Sequence, residues 1–233
     1  MSLRSTPQQA QLKTLSGLVA SKPKWQQWIA SSLDLIFPPR CAGCDRVDYT
    51  WCPDCQQALK RSALEPRLQR TSENLKIVST GEHRGLLAQA IHVFKYQNTP
   101  ELYAILSQRL YQCLRKWDIQ PDLLIPVPLH AKRQHERGYN QAALLTAGLS
   151  KRAGVPYHLD LLQRVIDTPS QVGLSEQERS RNVQNAFHAE NVSGLTIMLI
   201  DDVMTTGATL NQCALCLKQA GASQIYGLTV TYA

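Results

Sequence analysis

Two aspartates followed closely by threonines and a glycine have the types and order best suited to chemistry in this chain: Asp201 and Asp202, then Thr205, Thr206, Gly207, Ala208 and Thr209. Hydroxyls and backbone N–H groups in a small-residue loop donate to phosphate oxygens. A glycine lets the main chain approach them, and the N-terminus of a following helix favours their charge. Carboxylates have the opposite preference: they accept hydrogen bonds, and so suit the hydroxyls of a ligand or a magnesium ion held beside its phosphate. A ribose 5-phosphate unit carries both kinds of group.

A second set of candidates is Cys41 and Cys44, a seven-residue spacer, then Cys52 and Cys55. Two Cys-x-x-Cys pairs each grip one ion through two thiolates, and a closed four-thiolate tetrahedron is the usual structural zinc site. Such a site has no open coordination position, so it holds the N-terminal module together and does not catalyse. The short spacer predicts a compact knuckle of two tight turns, with Gly43 helping the first. A third set is basic. Lys132, Arg133 and Arg137 lie in one polar stretch and are suited to meeting a diphosphate across a pocket from the acid pair. His130 and His135 in the same stretch are expected to be exposed loop histidines. Between Arg164 and Phe187, a segment with Gln171, Gly173, Leu174, Arg179, Arg181 and Asn182 shows little core periodicity. It has the makings of a basic lid that closes over a bound ligand and excludes water.

The elements that must position these residues follow from hydrophobic periodicity. Leu195, Ile197, Met198, Leu199 and Ile200 form an apolar run too short for an ordinary helix. It suits a parallel strand covered on both faces, which Asp201 and Asp202 end. Leu210, Cys213, Ala214, Leu217 and Ala220 then recur at helical spacing. Upstream, a strand is expected around Leu75 to Ser79 and a helix near Gly85 to Tyr96. A second helix with Leu102, Ile105, Leu106, Leu110, Cys113 and Leu114 on its apolar face ends near Trp117. Asp122 to Pro128 reads as another buried strand; it feeds the polar loop 129–141, which opens a helix through Ala142, Leu145 and Leu149. Strands alternating with helices predict an α/β fold with a doubly wound, mainly parallel sheet, where ligands sit at the carboxyl ends of strands.

The chain divides into a flexible leader over 1–24, a helix plus four-cysteine module over 25–64, and the α/β domain over 74–233, with a charged connector, Glu65 to Glu73, between the last two. In the second part Trp25, Trp28, Ile29, Leu33 and Ile36 share one helix face, which Pro38 and Pro39 terminate. Cys113, Cys213 and Cys216 read as core cysteines. The 233 residues, 43% of them hydrophobic, are enough for a real core. The net charge of +7 and pI near 9.1 point to an anionic partner: a polyphosphate ligand, a nucleic acid or an acidic protein. No apolar segment approaches the roughly 20 residues that span a bilayer, and the N-terminus has no signal-peptide pattern. No membrane insertion is expected and the cytoplasm is the expected compartment. An odd count of seven cysteines fits that reducing setting.

The run LTIMLIDDVMTTGATL over 195–210 resembles the 5-phosphoribosyl-1-pyrophosphate (PRPP) site of type I phosphoribosyltransferases. The resemblance implies that Asp201 and Asp202 hold the ribose 2′ and 3′ hydroxyls, that Thr205 to Thr209 wrap the 5′-phosphate, and that magnesium accompanies PRPP. One departure matters. Purine-salvage members usually carry an acid at the position of Thr205, as proton shuttle to the base, and a threonine cannot be a general acid or base near neutral pH.

Several features in order resemble the ComF family over about residues 25 to 233. They are the paired Cys-x-x-Cys module, a helix ending in Pro38-Pro39-Arg40-Cys41, the Pro-Val-Pro loop followed by Arg137-Gly-Tyr-Asn-Gln141, the Gln171, Arg179 and Asn182 segment, and the acid-pair motif. That resemblance implies a role in natural transformation, the cytoplasmic handling of incoming single-stranded DNA, with that DNA and competence machinery such as a helicase as partners. Three readings stay open: a transferase that substitutes at ribose C1′, a module that senses PRPP or a nucleotide or holds single-stranded DNA without transfer, and a nucleobase-salvage enzyme.

Overall fold

The computed structural model describes residues 18, 38–71, 75–165 and 186–233. The leader apart from Leu18, the Trp25 to Ile36 helix face, and the lid candidates Gln171, Gly173, Leu174, Arg179, Arg181 and Asn182 lie outside the described residues.

In chain order the elements are α1 (Pro53–Arg61), β1 (Arg67–Arg70), β2 (Lys76–Ser79), α2 (Gly85–Tyr96), α3 (Tyr103–Trp117), β3 (Leu123–Pro126), α4 (Ala131–Arg137) and α5 (Gln141–Ala153). Then come β4 (Leu162–Arg164), β5 (Phe187–Ala189), β6 (Thr196–Met204), α6 (Ala208–Gln219) and β7 (Gln224–Tyr232). The main sheet has the order β1-β2-β7-β6-β3. Its pairs β2–β7, β7–β6 and β6–β3 are parallel, and β1 closes one edge antiparallel to β2.

Alternation along each strand sends successive side chains to opposite faces. Val78, Leu124, Met198, Ile200, Leu228 and Val230 share a core with α2, α3 and α5. Ile77, Leu123, Ile125, Ile197 and Leu199 share the other with α6 and the β4–β5 pair. Both faces are therefore covered, as the continuous apolar runs require.

Three details differ from the sequence-based expectations. The strand expected to end at the acids continues to Met204, because β7 lies alongside and pairs Asp201 with Thr229, Val203 with Thr231 and Met204 with Tyr232. The polar loop 129–141 contains α4, which starts where the His130 side chain accepts the Lys132 N–H and stops where Gly138 turns left-handed at φ 82°. The charged connector contains β1, whose arginines suit an edge strand with one side in water.

The cysteine module is anchored to the α/β domain through α1. Leu59 and Cys55 enter the first core. Arg109 of α3, only 4% exposed, reaches the C-terminal end of α1. Its guanidinium donates to the carbonyls of Leu59 (3.4 Å), Ser62 (3.1 Å) and Ala63 (3.1 Å) and to Ser62 Oγ (2.9 Å). A cation at that end satisfies carbonyls the helix leaves unpaired. Among the described residues no helix is long and apolar enough to cross a membrane.

Candidate functional site

The extension of β6 brings both acids to the carboxyl edge of the sheet, on opposite faces of the strand. Asp202 faces α2, where its Oδ1 lies 2.9 Å from Lys95 Nζ, with the side chains 9% and 20% exposed. Burial disfavours the Lys95 ammonium, but Asp202 beside it more than offsets this and raises its pKa, so Lys95 keeps its charge. Asp201 is half-buried, and its Oδ1 accepts the Asp202 N–H at 2.8 Å. Burial, with the charge of Asp202, pushes the Asp201 carboxyl up to about 7 against the pull of Lys95 and Arg137.

Hydroxyls of β2 and β7 underlie the pair. Ser79 Oγ and Thr229 Oγ1 are 2.7 Å apart, Thr229 Oγ1 donates to the Thr231 carbonyl at 3.1 Å, and Thr231 Oγ1 donates to the Asp202 carbonyl at 3.5 Å. His83, from the turn after β2, joins them: its Nδ1 is 3.0 Å from Thr231 Oγ1 and its N–H donates to the Tyr232 carbonyl at 2.7 Å. Burial, and then Lys95, hold the His83 imidazole below its ordinary pKa.

The small-residue loop follows at once. Thr205 and Thr206 are exposed, Gly207 is buried, and Ala208 and Thr209 are half-buried. Gly207 caps α6 at φ 77°, and a Cβ there would lie 2.9 Å from Thr71 Cγ2, so both backbone conformation and space require glycine. The Ala208 N–H donates to Thr206 Oγ1 (3.3 Å), and the Asn211 N–H reaches back to the Gly207 carbonyl (2.9 Å). N–H groups ahead of that first helical rung have no acceptor within the helix and are the donors a phosphate takes.

Of the three basic candidates on α4, Arg137 is the one whose charge reaches Asp201. Arg137 and Lys95 are the cations acting most strongly on Asp201. The Arg137 guanidinium lies 5.2 Å over the Tyr96 ring and Nη1 donates to Gln141 Oε1 at 3.2 Å. Lys132 is exposed and Arg133 half-buried, one turn away. His130 caps α4 and His135 is exposed. The Arg-Gly-Tyr-Asn stretch is pinned on both sides. The Tyr139 hydroxyl donates to the Phe94 carbonyl of α2, Asn140 Nδ2 donates to Val127 (3.2 Å), and Asn140 Oδ1 accepts the Ala143 N–H (3.4 Å) to cap α5.

Sequence reasoning missed Lys95 and His83. Lys95 had a signal: it follows Leu87 and Ile91 at four-residue intervals, which puts a charge on the buried stripe of a helix.

At the other end of the chain the four Sγ atoms of Cys41, Cys44, Cys52 and Cys55 lie within 4.8 Å of one another. A zinc tetrahedron with Zn–S near 2.3 Å has S–S edges of about 3.8 Å, so the four thiols fit the ion. Gly43 makes the cradle: a Cβ there would sit 2.6 Å from Cys55 Sγ. Burial raises the Cys41 thiol, but the N–H groups of Cys52, Gly43 and Cys44 more than offset it and bring it to about 6, favouring thiolate.

A four-thiolate module on a doubly wound α/β domain, with an acid pair and a glycine-capped threonine loop at the sheet's carboxyl edge, defines the class. Residues 32–77 match the model of the double zinc ribbon domain, and the closed cysteine cluster is its structural zinc site. The chain is 34% identical to competence protein F of Haemophilus influenzae over 203 residues, covering 81% of this chain and 89% of that protein. It is 32% identical to the DNA utilization protein YhgH of Salmonella typhimurium over 193 residues, covering 79% of this chain and 85% of that protein. The chain belongs to the ComF family. Similar solved structures include an adenine phosphoribosyltransferase, at 15% identity and a TM-score of 0.42, covering 77% of this chain and 89% of that one. That likeness says nothing of activity.

Proposed function

We propose that this protein binds PRPP with magnesium at the carboxyl edge of its sheet and serves competence-related handling of single-stranded DNA in the cytoplasm. The observation that carries the pocket reading is the passage of β6 through Asp201 and Asp202 straight into Thr205 to Thr209 and α6, which sets carboxylate acceptors beside phosphate donors. Asp201 and Asp202 orient the ribose hydroxyls, the loop holds the 5′-phosphate, and Arg137 of α4 faces the pyrophosphate. Magnesium, when bound, neutralises charge on the phosphates, and the two carboxylates offer the hard oxygen donors it takes. The transfer such a site supports is substitution at C1′: an acceptor's lone pair forms the new bond, and pyrophosphate leaves with the electrons of the broken C–O bond. The DNA role is supported by the names of the relatives and by the net charge of +7.

Calorimetric titration of the zinc-loaded protein with PRPP and magnesium tests the pocket, with an Asp201→Asn, Asp202→Asn double variant for comparison. Saturable binding in the wild type and its loss in the variant is the expected result. Equal binding by both would remove the acid pair from the site.

A second reading is favoured by Thr205, which stands where salvage enzymes carry an acid: the pocket senses PRPP or a nucleotide without transfer. It predicts PRPP binding with no release of pyrophosphate for any acceptor, together with single-stranded DNA binding that weakens steeply with salt.

A further inference from the structure

Lys95 belongs to none of the segments in which phosphate chemistry was expected. It lies in the last turn of α2, on the stripe that faces the core, with its ammonium against Asp202. A buried lysine paired with one aspartate would be a closed account, but here a second cation stands nearby. The next residue, Tyr96, carries the Arg137 guanidinium over its ring, and Arg137 is close enough to oppose the charge of Lys95. Like charges held together in a poorly solvated place repel unless an anion comes between them.

Among the described residues the partners of Arg137 are weak ones for a guanidinium: an aromatic face and the amide oxygen of Gln141. An incoming anion displaces them at little cost, whereas a carboxylate partner would hold the side chain back. The supports are stiff. Lys95 ends α2 and Arg137 ends α4, and the hydrogen bond from the Tyr139 hydroxyl to the Phe94 carbonyl ties the chain just after α4 to the residue before Lys95. Two cations fixed in this way suit a diphosphate better than a single phosphate, because the two groups offer separate oxygens.

We infer that Lys95 and Arg137 form the diphosphate clamp of this site, and that ligand binding exchanges partners: Asp202 passes from Lys95 to the sugar hydroxyls while the freed ammonium turns to the diphosphate. The inference rests on the PRPP reading and deepens it. It also leaves Lys132 and Arg133, exposed and half-buried on the earlier turns of α4, outside the clamp.

The test titrates inorganic pyrophosphate with magnesium, and separately ribose 5-phosphate, into wild type, Lys95→Met, Lys95→Arg, Arg137→Met and a Lys132→Ala, Arg133→Ala double variant. Lys95→Met and Arg137→Met are expected to weaken pyrophosphate binding roughly 10- to 100-fold, the range of a lost charge-assisted hydrogen bond. Both should keep ribose 5-phosphate affinity within about threefold, Lys95→Arg should retain most pyrophosphate affinity, and the double variant on α4 should bind like wild type. Where Lys95→Met fails to unfold cooperatively, Arg137→Met and Lys95→Arg decide. Wild-type pyrophosphate affinity in Lys95→Met, or a loss in the α4 double variant as large as in Lys95→Met, overturns the clamp while leaving the pocket reading standing. A wild-type protein that binds neither PRPP nor pyrophosphate overturns both.

Discussion

The zinc module and the carboxyl-edge site are both clusters of ligating side chains, but they are assembled on different scales. The four thiols come from one short stretch, 41–55, and need only a knuckle and the first turn of α1 to converge. The edge site draws Lys95 from α2, Arg137 from α4, His83 from the turn after β2, and the acids and small-residue loop from β6 to α6. The first is a local solution whose energy comes from the metal; the second exists only once a parallel sheet has formed. The two should therefore be separable, except where Arg109 joins them.

Metal removal is the strongest way to break the comparison. Structural zinc sites contribute on the order of 10 kcal/mol to the folding of their modules. Chelation should therefore unfold the N-terminal module, read by the fluorescence of Trp51 beside Cys52, while the α/β domain keeps a cooperative transition. With magnesium held in excess over a zinc-selective chelator, simultaneous loss of PRPP binding and module structure would mean that the two regions are one unit.

Arg109→Met comes next. It leaves the carbonyls of Ser62 and Ala63 without their donor and that of Leu59 with only the Ser62 hydroxyl, a cost of about 3 kcal/mol when such groups stay dry. Denaturant unfolding should change from one transition to two, with zinc still bound. A single transition shifted as a whole would show that apolar contacts at Leu59 suffice to couple the parts.

Gly207→Ala acts on the edge site alone. A left-handed alanine costs roughly 1–2 kcal/mol, and its methyl would also press on Thr71. Thermal unfolding should show that loss, and phosphate-bearing ligands should bind more weakly; an unchanged affinity would detach the loop from ligand binding.

The remaining effect is a slope. The Asp201 carboxyl is raised from 3.8 to about 7 in the folded protein, so the unfolded state loses its proton first. The associated stability is present in full below 3.8 and is lost as pH rises through about 7. Asp201→Asn should remove that dependence: its thermal midpoint should gain on wild type as pH rises across this window and the gain should level off above it. Parallel curves for the two proteins would show that Asp201 is better solvated than its surroundings indicate.

Much of the scaffold was legible because its elements declare themselves locally. Apolar spacing located α2, α3 and β3, and four apolar residues before the acids located β6. The misses share a cause: each element takes its stability from a neighbour. Arg67 to Arg70 carries little strand signal and is held by its ladder to β2. Gln224 to Tyr232, central in the sheet, was left unassigned, and its alternation is interrupted by Gly227, where a Cβ would lie 2.9 Å from Ile77 Cγ1. The short polar helix α4 has no apolar stripe of its own and is defined by its caps.

The sequence by itself determined the chemistry on offer: four thiols spaced for one ion, two acids ahead of a threonine and glycine loop, and a basic stretch after a buried strand. Residue type and short spacing are enough for this, because ligand preference and local turns depend on near neighbours. Only the tertiary structure decided which charges meet. It ran β6 past the acids, turned Asp201 and Asp202 to opposite faces, set Lys95 against one of them, and left Arg137 near enough for its charge to act on the other. The reason is physical: a charge's partner and its solvation are set by elements distant in sequence, and in a covered parallel sheet those elements come together only when the whole layer forms.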